Sequence, residues 1–315
     1  MATIDVLGVP HTYELTQPRL PGLSLVFVHG WLLSRQYWAP LVQKLTPNYS
    51  CLTYDLRGFG NSAAGSRTPL PQHLSALSLV AAPSARADVA SQVQTPMAGS
   101  VSDYGLAAYA QDLLVLLKHL GLERVWLVGH SLGGSIALWA AHLAPHQVQG
   151  VICINAGGGI YLKEDFEKFR AAGEQMLRFR PRWLASMPLL HLLFSRANVV
   201  YPVEMCWGRQ RVIDFVEADL EAARRSLLDS TCPEEVHRLP QVVAGLQQPA
   251  YFLAGQQDQI MALKYVYHLA SFHRLFQQGQ VNVVELSECG HMAMIEKPGA
   301  IATIIQQIIT QHSQP

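Results

Sequence analysis

The sequence has no surplus of either charge sign, no Cys-x-x-Cys pair and no apolar run of membrane-spanning length. Its 23 basic and 23 acidic residues cancel. Balance of this kind argues against nucleic acid as a main partner, because phosphate backbones select basic surfaces. Five cysteines, an odd count, do not make a disulfide framework and read as buried thiols in a reducing compartment. The opening Met1-Ala2-Thr3-Ile4-Asp5-Val6 holds neither the basic nor the apolar stretch that directs secretion. A spanning helix needs about 20 apolar residues, so none is expected. The expectation is a cytoplasmic protein, with peripheral attachment to an internal membrane left open. What the chain does have is apolar residue, 50% of 315 positions, enough for a large core. Its length suits one domain carrying an insertion.

Against that background one stretch stands out. Val125-Trp126-Leu127-Val128 is a β-branched, apolar run that ends in Gly129-His130-Ser131-Leu132-Gly133-Gly134 and passes into the helix-forming Ser135-Ile136-Ala137-Leu138-Trp139-Ala140-Ala141. Strand, Gly-x-Ser-x-Gly turn and helix in this order form a nucleophile elbow. Gly129 and Gly133 carry no Cβ, so strand and helix can approach closely and hold the serine in a strained backbone conformation. The hydroxyl of Ser131 is then pushed out at the carboxyl end of the sheet, where the helix start offers free N–H groups.

Three further segments bear on the elbow. Leu23–Val28 is a strand running into His29-Gly30-Trp31, a turn whose following amide can point at a reacting oxygen. The N–H groups of Trp31 and Leu132 are therefore the candidate oxyanion hole. Pro249–Gly255 is another strand, with Asp258 on the loop at its end, and Val281–Leu286 leads through Cys289-Gly290 to His291. Ser131 as nucleophile, His291 as base and Asp258 fixing the imidazole tautomer make the candidate triad. Each part also has a plainer reading: Asp258 can be a turn residue, and His291 can cap the helix begun near Ile295. Their joint order after strand ends favours catalysis. Asp55, which precedes the nucleophile and sits beside Gly58 and Gly60, reads as a turn residue.

Along the chain, Thr3–Val6 and His11–Leu15 flank a Gly8-Val9-Pro10 turn and read as a hairpin. Trp38, Leu41, Val42 and Leu45 keep helical spacing between two short buried strands. Ala63–Ser100 is rich in Ala, Ser, Pro and Gln with little charge, and reads as a flexible insertion. Asp103 is a plausible N-cap for a helix with a Leu106, Tyr109, Leu113, Leu116, Leu117, Leu120 stripe closed by Gly121. After the strand Val148–Ile154, strand and helix cease to alternate. From Ala156 to about Gln248 the pattern is helical, with Phe166, Phe169, Met176 and Leu177 first. A Val212, Val216, Leu220, Ala223, Leu227 stripe follows. The expected layout is a core of residues 1–155, a helical cap of 156–248 and the rest of the core in 249–315. In the cap, Trp183–Phe194 holds no fixed charge and follows Arg178, Arg180 and Arg182, which suits a lid facing lipid or a long hydrocarbon chain. The leucines can equally pack the cap onto the core. His191 reads as a packing or rim residue.

The motifs His29-Gly30-Trp31, Asp55-Leu56-Arg57-Gly58-Phe59-Gly60-Asn61-Ser62, Gly129–Gly134, Gly255-Gln256-Gln257-Asp258 and Gly290-His291 together resemble the α/β-hydrolase fold superfamily, from about Asp5 to Ile309. The resemblance implies an α/β fold: a mostly parallel eight-stranded sheet flanked by helices, with a helical cap, the triad Ser131, Asp258 and His291, and no cofactor or metal. Four cap phrases, Asn155–Glu164, Ser195–Asn198, Trp207–Arg211 and Leu228–Thr231, resemble the chlorophyll dephytylase group, which is similar to pheophytinases. They imply a lipophilic ester substrate, in the narrowest form the phytyl ester of chlorophyll, whose magnesium belongs to the substrate. The alternatives are a general carboxylesterase or lipase-like enzyme, a carbon–carbon bond hydrolase, an acyltransferase, and a ligand sensor on the same fold. No nucleic acid or obligate protein partner is expected.

Overall fold

The computed structural model describes residues 1–16, 22–65, 104–157 and 163–312. Eight strands form one sheet: β1 (Ala2–Val6), β2 (Val9–Leu15), β3 (Ser24–Val28), β4 (Ser50–Tyr54), β5 (Val125–His130), β6 (Val148–Ile154), β7 (Ala250–Gly255) and β8 (Val283–Leu286). Their order is β1-β2-β4-β3-β5-β6-β7-β8. The β1–β2 and β2–β4 pairs are antiparallel and every other pair is parallel. β3, β4, β5 and β7 are buried along their whole length, as strands covered on both faces must be. That is why their sequences are continuous apolar runs.

Alternation across the pleat divides the core between the two faces. Val26, Val28, Leu52 and Leu127 pack with α2 (Leu106–His119) and α3 (Leu132–Leu143). Leu25, Phe27, Trp126 and Val128 pack instead against α1 (Ala39–Leu45) and three later helices. The cap contributes α4 (Lys163–Arg178), α5 (Pro188–Phe194), α6 (Met205–Glu217), α7 (Leu220–Ser230) and α8 (Pro233–Gly245). α9 (Leu263–Ala270), α10 (Arg274–Gln277), α11 (Ala293–Glu296) and α12 (Pro298–His312) complete the chain. α8 returns to the sheet layer, where Trp139 of α3 donates its indole N–H to Glu235 at 2.5 Å.

Several local expectations change. The opening hairpin turns at Leu7 and Gly8, with φ of 54° and 82°, and Pro10 lies within β2 opposite Asp5. Positive φ at both central residues matches the twist of a two-residue hairpin, which a turn at Gly8-Val9-Pro10 could not supply. The 212–227 stripe is two helices. The chain bends at Ala218, and the Asp219 carboxylate caps α7 by accepting from Ala222 N at 2.9 Å. The bend leaves Leu220 54% exposed while Val212, Val216, Ala223 and Leu227 stay buried. The thiols are also not uniformly buried: Cys51, Cys153 and Cys289 are, but Cys206 is exposed and Cys232 half-buried. The Ala63–Ser100 insertion from residue 66 on, Asp103, and the Phe166 and Phe169 side chains lie outside the described residues. Among the described residues no helix is long and apolar enough to cross a membrane.

Candidate active site

β5 ends at His130, and Ser131 follows with φ 51° and ψ −119°. A non-glycine residue there carries roughly 1–3 kcal/mol of strain, which persists only where neighbours fix it. Here Ser131 N donates to Ile154 O at 3.0 Å and its own carbonyl accepts from Gly134 N at 2.9 Å. A Cβ on Gly129 would overlap the Gly133 carbonyl, and one on Gly133 would overlap the main-chain oxygens of Val28 and His29. The two glycines are thus required by close approach, and the turn they permit projects Ser131 into a cavity.

That cavity measures about 430 Å³. Trp31, Leu32, Met176, Phe194 and Phe215 give it an apolar wall, and Ser131, His291 and Arg211 also line it. α4, α5 and α6 of the cap form the side opposite the sheet.

Asp258 and His291 meet as the sequence order implies. His291 Nδ1 donates to Asp258 Oδ2 at 2.7 Å, leaving Nε2 as the unprotonated nitrogen. Asp258 accepts three more bonds, from Ile260 N at 2.8 Å, Met261 N at 2.9 Å and Asn155 Nδ2 at 2.6 Å. Burial alone would raise its pKa, but His291 and these donors outweigh it and hold the carboxyl below its ordinary value. Ser131 shares the cavity with His291, and no hydrogen bond joins the two side chains. Catalytic hydrogen bonds commonly tighten only when substrate is bound.

The amide side is braced by His29. Leu56 N donates to His29 Nε2 at 3.0 Å, so the ring proton sits on Nδ1, which donates to Gly30 O at 2.8 Å. This bond fixes the carbonyl just before Trp31. The Trp31 indole donates to Ala223 O of α7 at 2.8 Å, tying the turn to the cap. Leu132 opens α3, where a first-turn N–H has no intrahelical acceptor. Asp55 is a structural anchor that accepts from Arg35 N at 2.7 Å and Asn61 N at 2.9 Å. His191 Nε2 lies 2.8 Å from Ala185 O, inside the cap.

Three residues at the site escaped the sequence reading. Asn155 (φ 49°) bridges Asp258 and Gly290 O, the latter at 2.9 Å. Its signal was a polar residue ending the buried run Val151–Ile154. His130 Nε2 bonds His291 O at 2.8 Å, with ring centroids 4.8 Å apart. Burial, reinforced by His291, lowers the His130 pKa to about 3, so it stays neutral. Asn198, from the cap, accepts from His291 N at 2.8 Å. No local pattern announces either main-chain contact. Among the described residues no group of three or more His, Cys, Asp or Glu side chains is placed to hold a metal ion.

A strained serine at a strand–helix elbow, with a carboxylate-bound histidine across a capped cavity, defines a class. Residues 24–298 match the alpha/beta hydrolase fold family, and the chain belongs to it. A curated relative, the 2-succinyl-6-hydroxy-2,4-cyclohexadiene-1-carboxylate synthase of Yersinia pseudotuberculosis serotype O:1b (strain IP 31758), is 26% identical over 306 residues, covering 96% of this chain and 93% of its own. Among solved structures, a thermophilic esterase from Thermogutta terrifontis has a TM-score of 0.65 at 21% identity, with full coverage of both chains. The enol-lactonase from Burkholderia xenovorans LB400 has a TM-score of 0.69 at 20% identity, covering 98% of this chain and 100% of its own. At such identities the structural likeness speaks for the fold, which hosts many chemistries.

Proposed function

We propose that the protein is a serine hydrolase that cleaves a carboxylic ester through an acyl-enzyme. The observation that carries this reading is the Asp258–His291 hydrogen bond, which frees Nε2 of a histidine lining the same cavity as the strained Ser131. His291 takes the Ser131 proton as Oγ attacks the ester carbonyl, and the Trp31 and Leu132 N–H groups receive the developing oxyanion. The alcohol departs with the proton held by His291. Water then attacks the acyl-enzyme by the same route and restores the serine.

The substrate is lipophilic on this reading. The cavity wall supports it, as do the exposed Phe179, Trp183, Leu189 and Leu193 on the cap beside Arg178 and Arg182. Apolar surface flanked by arginines favours peripheral contact with lipid. The narrowest form, drawn from the cap phrases, is the phytyl ester of chlorophyll, giving a chlorophyllide and phytol.

The test is chromatography of pigments incubated with wild type and with Ser131→Ala. Serine-dependent release of a phytol-free pigment supports the narrow form. Multiple turnover on short aryl esters alone makes the protein a general carboxylesterase. A single slow turnover on every ester points to the sensor alternative and overturns the enzyme reading.

A further inference from the structure

Arg211 on α6 is a cation on the wall of the cavity that holds Ser131 and His291. It is partly buried, and burial lowers its pKa. Taking a cation out of water is costly unless an anion accompanies it. The two fully buried arginines follow this rule: Arg35 pairs with Asp55 and Glu14, and Arg57 pairs with Asp112. Arg211, like the half-buried Arg180 that two carbonyls hold over Phe215, has no such partner, and of these two only Arg211 lines the cavity. Among the described residues no carboxylate lies within ion-pair distance of its guanidinium. Glu296, whose charge Arg211 feels, is committed to the main-chain N–H groups of Val200, Gly290 and Met292.

Arg211 is nonetheless held firmly. Nη1 donates to Phe194 O at 2.7 Å and Ala197 O at 2.6 Å, and the guanidinium carbon sits 5.6 Å from the Phe194 ring centroid. Those contacts use one nitrogen. Among the described residues Nε and Nη2 have no acceptor, and neither is among the polar atoms sealed without a partner. The Nε–Nη2 edge is the one that receives a carboxylate through two parallel hydrogen bonds.

We propose that Arg211 is an anion subsite of this cavity, binding an ionised carboxyl that the substrate carries in addition to its scissile ester. The preferred substrates are then half-esters, with an ester at Ser131, an apolar spacer along the Phe194 and Phe215 wall, and a carboxylate at Arg211. This rests on the ester-hydrolase reading and divides its substrate class, since fully neutral esters, phytyl pigments among them, leave the subsite unfilled.

The test compares monomethyl and dimethyl esters of succinic, adipic and suberic acids. Calorimetry measures binding to Ser131→Ala, so its result does not depend on turnover, and kcat/KM is measured on the wild-type enzyme. At one of the three lengths the half-ester should bind at least about tenfold more tightly than the diester, the scale of a charge-assisted pair. Arg211→Gln in the Ser131→Ala background should bring that ratio close to one. Arg211→Lys should restore part of it, and Arg196→Gln, which alters an exposed neighbouring arginine, should leave it alone. Damage to the loop that Arg211 braces would weaken both ligands and leave the ratio unchanged. Equal binding at all three lengths, or a preference that survives Arg211→Gln, overturns the subsite. If half-ester binding follows Arg211 but no ester is turned over by wild type, the subsite stands and the hydrolase reading fails.

Discussion

The sheet and the cap solve opposite problems. In the sheet, residues of β3, β5 and β7 touch protein on every side, and a single methyl at Gly133 would collide with the Val28 and His29 carbonyls. In the cap, Phe179 is 69% exposed, Trp183 57% and Leu189 62%, so the same kinds of side chain are mostly uncovered. Strain can be stored at Ser131 because dense packing over-determines its backbone. Specificity can reside in the cap because α4, α5 and α6 line the cavity that holds Ser131. The difference teaches that position and choice are held by different materials: the elbow fixes Ser131, and on the proposed reading α4 to α6 decide what reaches it.

The contrast is tested most severely at the triad. Ser131→Ala should lower kcat on any ester that wild type turns over by at least about 10⁴-fold, and Asp258→Asn by about 10⁴-fold through loss of the correct tautomer. Both variants should keep the wild-type circular dichroism spectrum. Near-normal rates for Asp258→Asn would mean that another acid orients His291.

Next comes packing. Gly133→Ala should destabilise the fold by roughly 1–3 kcal/mol or more, read as a shift in urea midpoint, because main-chain oxygens on β3 and its loop cannot move aside. An unchanged midpoint would show that the elbow is looser than its geometry implies.

The seam between the regions gives a smaller, pH-dependent effect. Asp214 of α6 accepts from Ser34 Oγ at 3.0 Å, just beyond the Trp31 turn, and from Gln210 Nε2 at 2.9 Å. Burial pushes its carboxyl up to about 7 against these bonds. Between its ordinary 3.8 and about 7 the folded protein keeps a proton that the unfolded chain has released. The stability contributed by this group therefore falls as pH rises through that window. Asp214→Asn removes the dependence, so its Tm relative to wild type should climb from pH 4 to pH 8. A constant difference would show that Asp214 does not titrate in this range.

The smallest effect belongs to the outer cap. Phe179→Ser and Trp183→Ser should each change unfolding free energy by less than about 0.5 kcal/mol. They should leave turnover of a soluble short ester at the wild-type rate and slow turnover of an ester dispersed in lipid vesicles. Equal slowing on both substrates would assign these side chains to packing.

The sequence was most informative where chemistry leaves only one residue type workable. Gly129 and Gly133 are demanded by close approach, and the buried runs of β5 and β7 by cover on both faces, so the elbow and the carboxylate loop could be read in order. Asn155, His130 and Asn198 could not, because what matters there is a bond made across 103, 161 and 93 positions of chain. The cap was read only in part. Its helical content was plain, but the bend at Ala218 broke a stripe whose spacing looked continuous, since the capping Asp219 lay inside an apolar pattern. Arg211, though it closes the Trp207–Arg211 phrase, gave no signal of its setting, because a missing counter-ion shows only in three dimensions.

Activation of Ser131 is tested most directly by covalent capture. Intact-mass and peptide mass spectrometry after incubation with an alkyl fluorophosphonate should show one adduct per chain, on Ser131. Labelling should slow by orders of magnitude in His291→Ala and remain fast in His191→Ala. An adduct on another residue, or labelling of Ser131 at full speed without His291, would contradict the account.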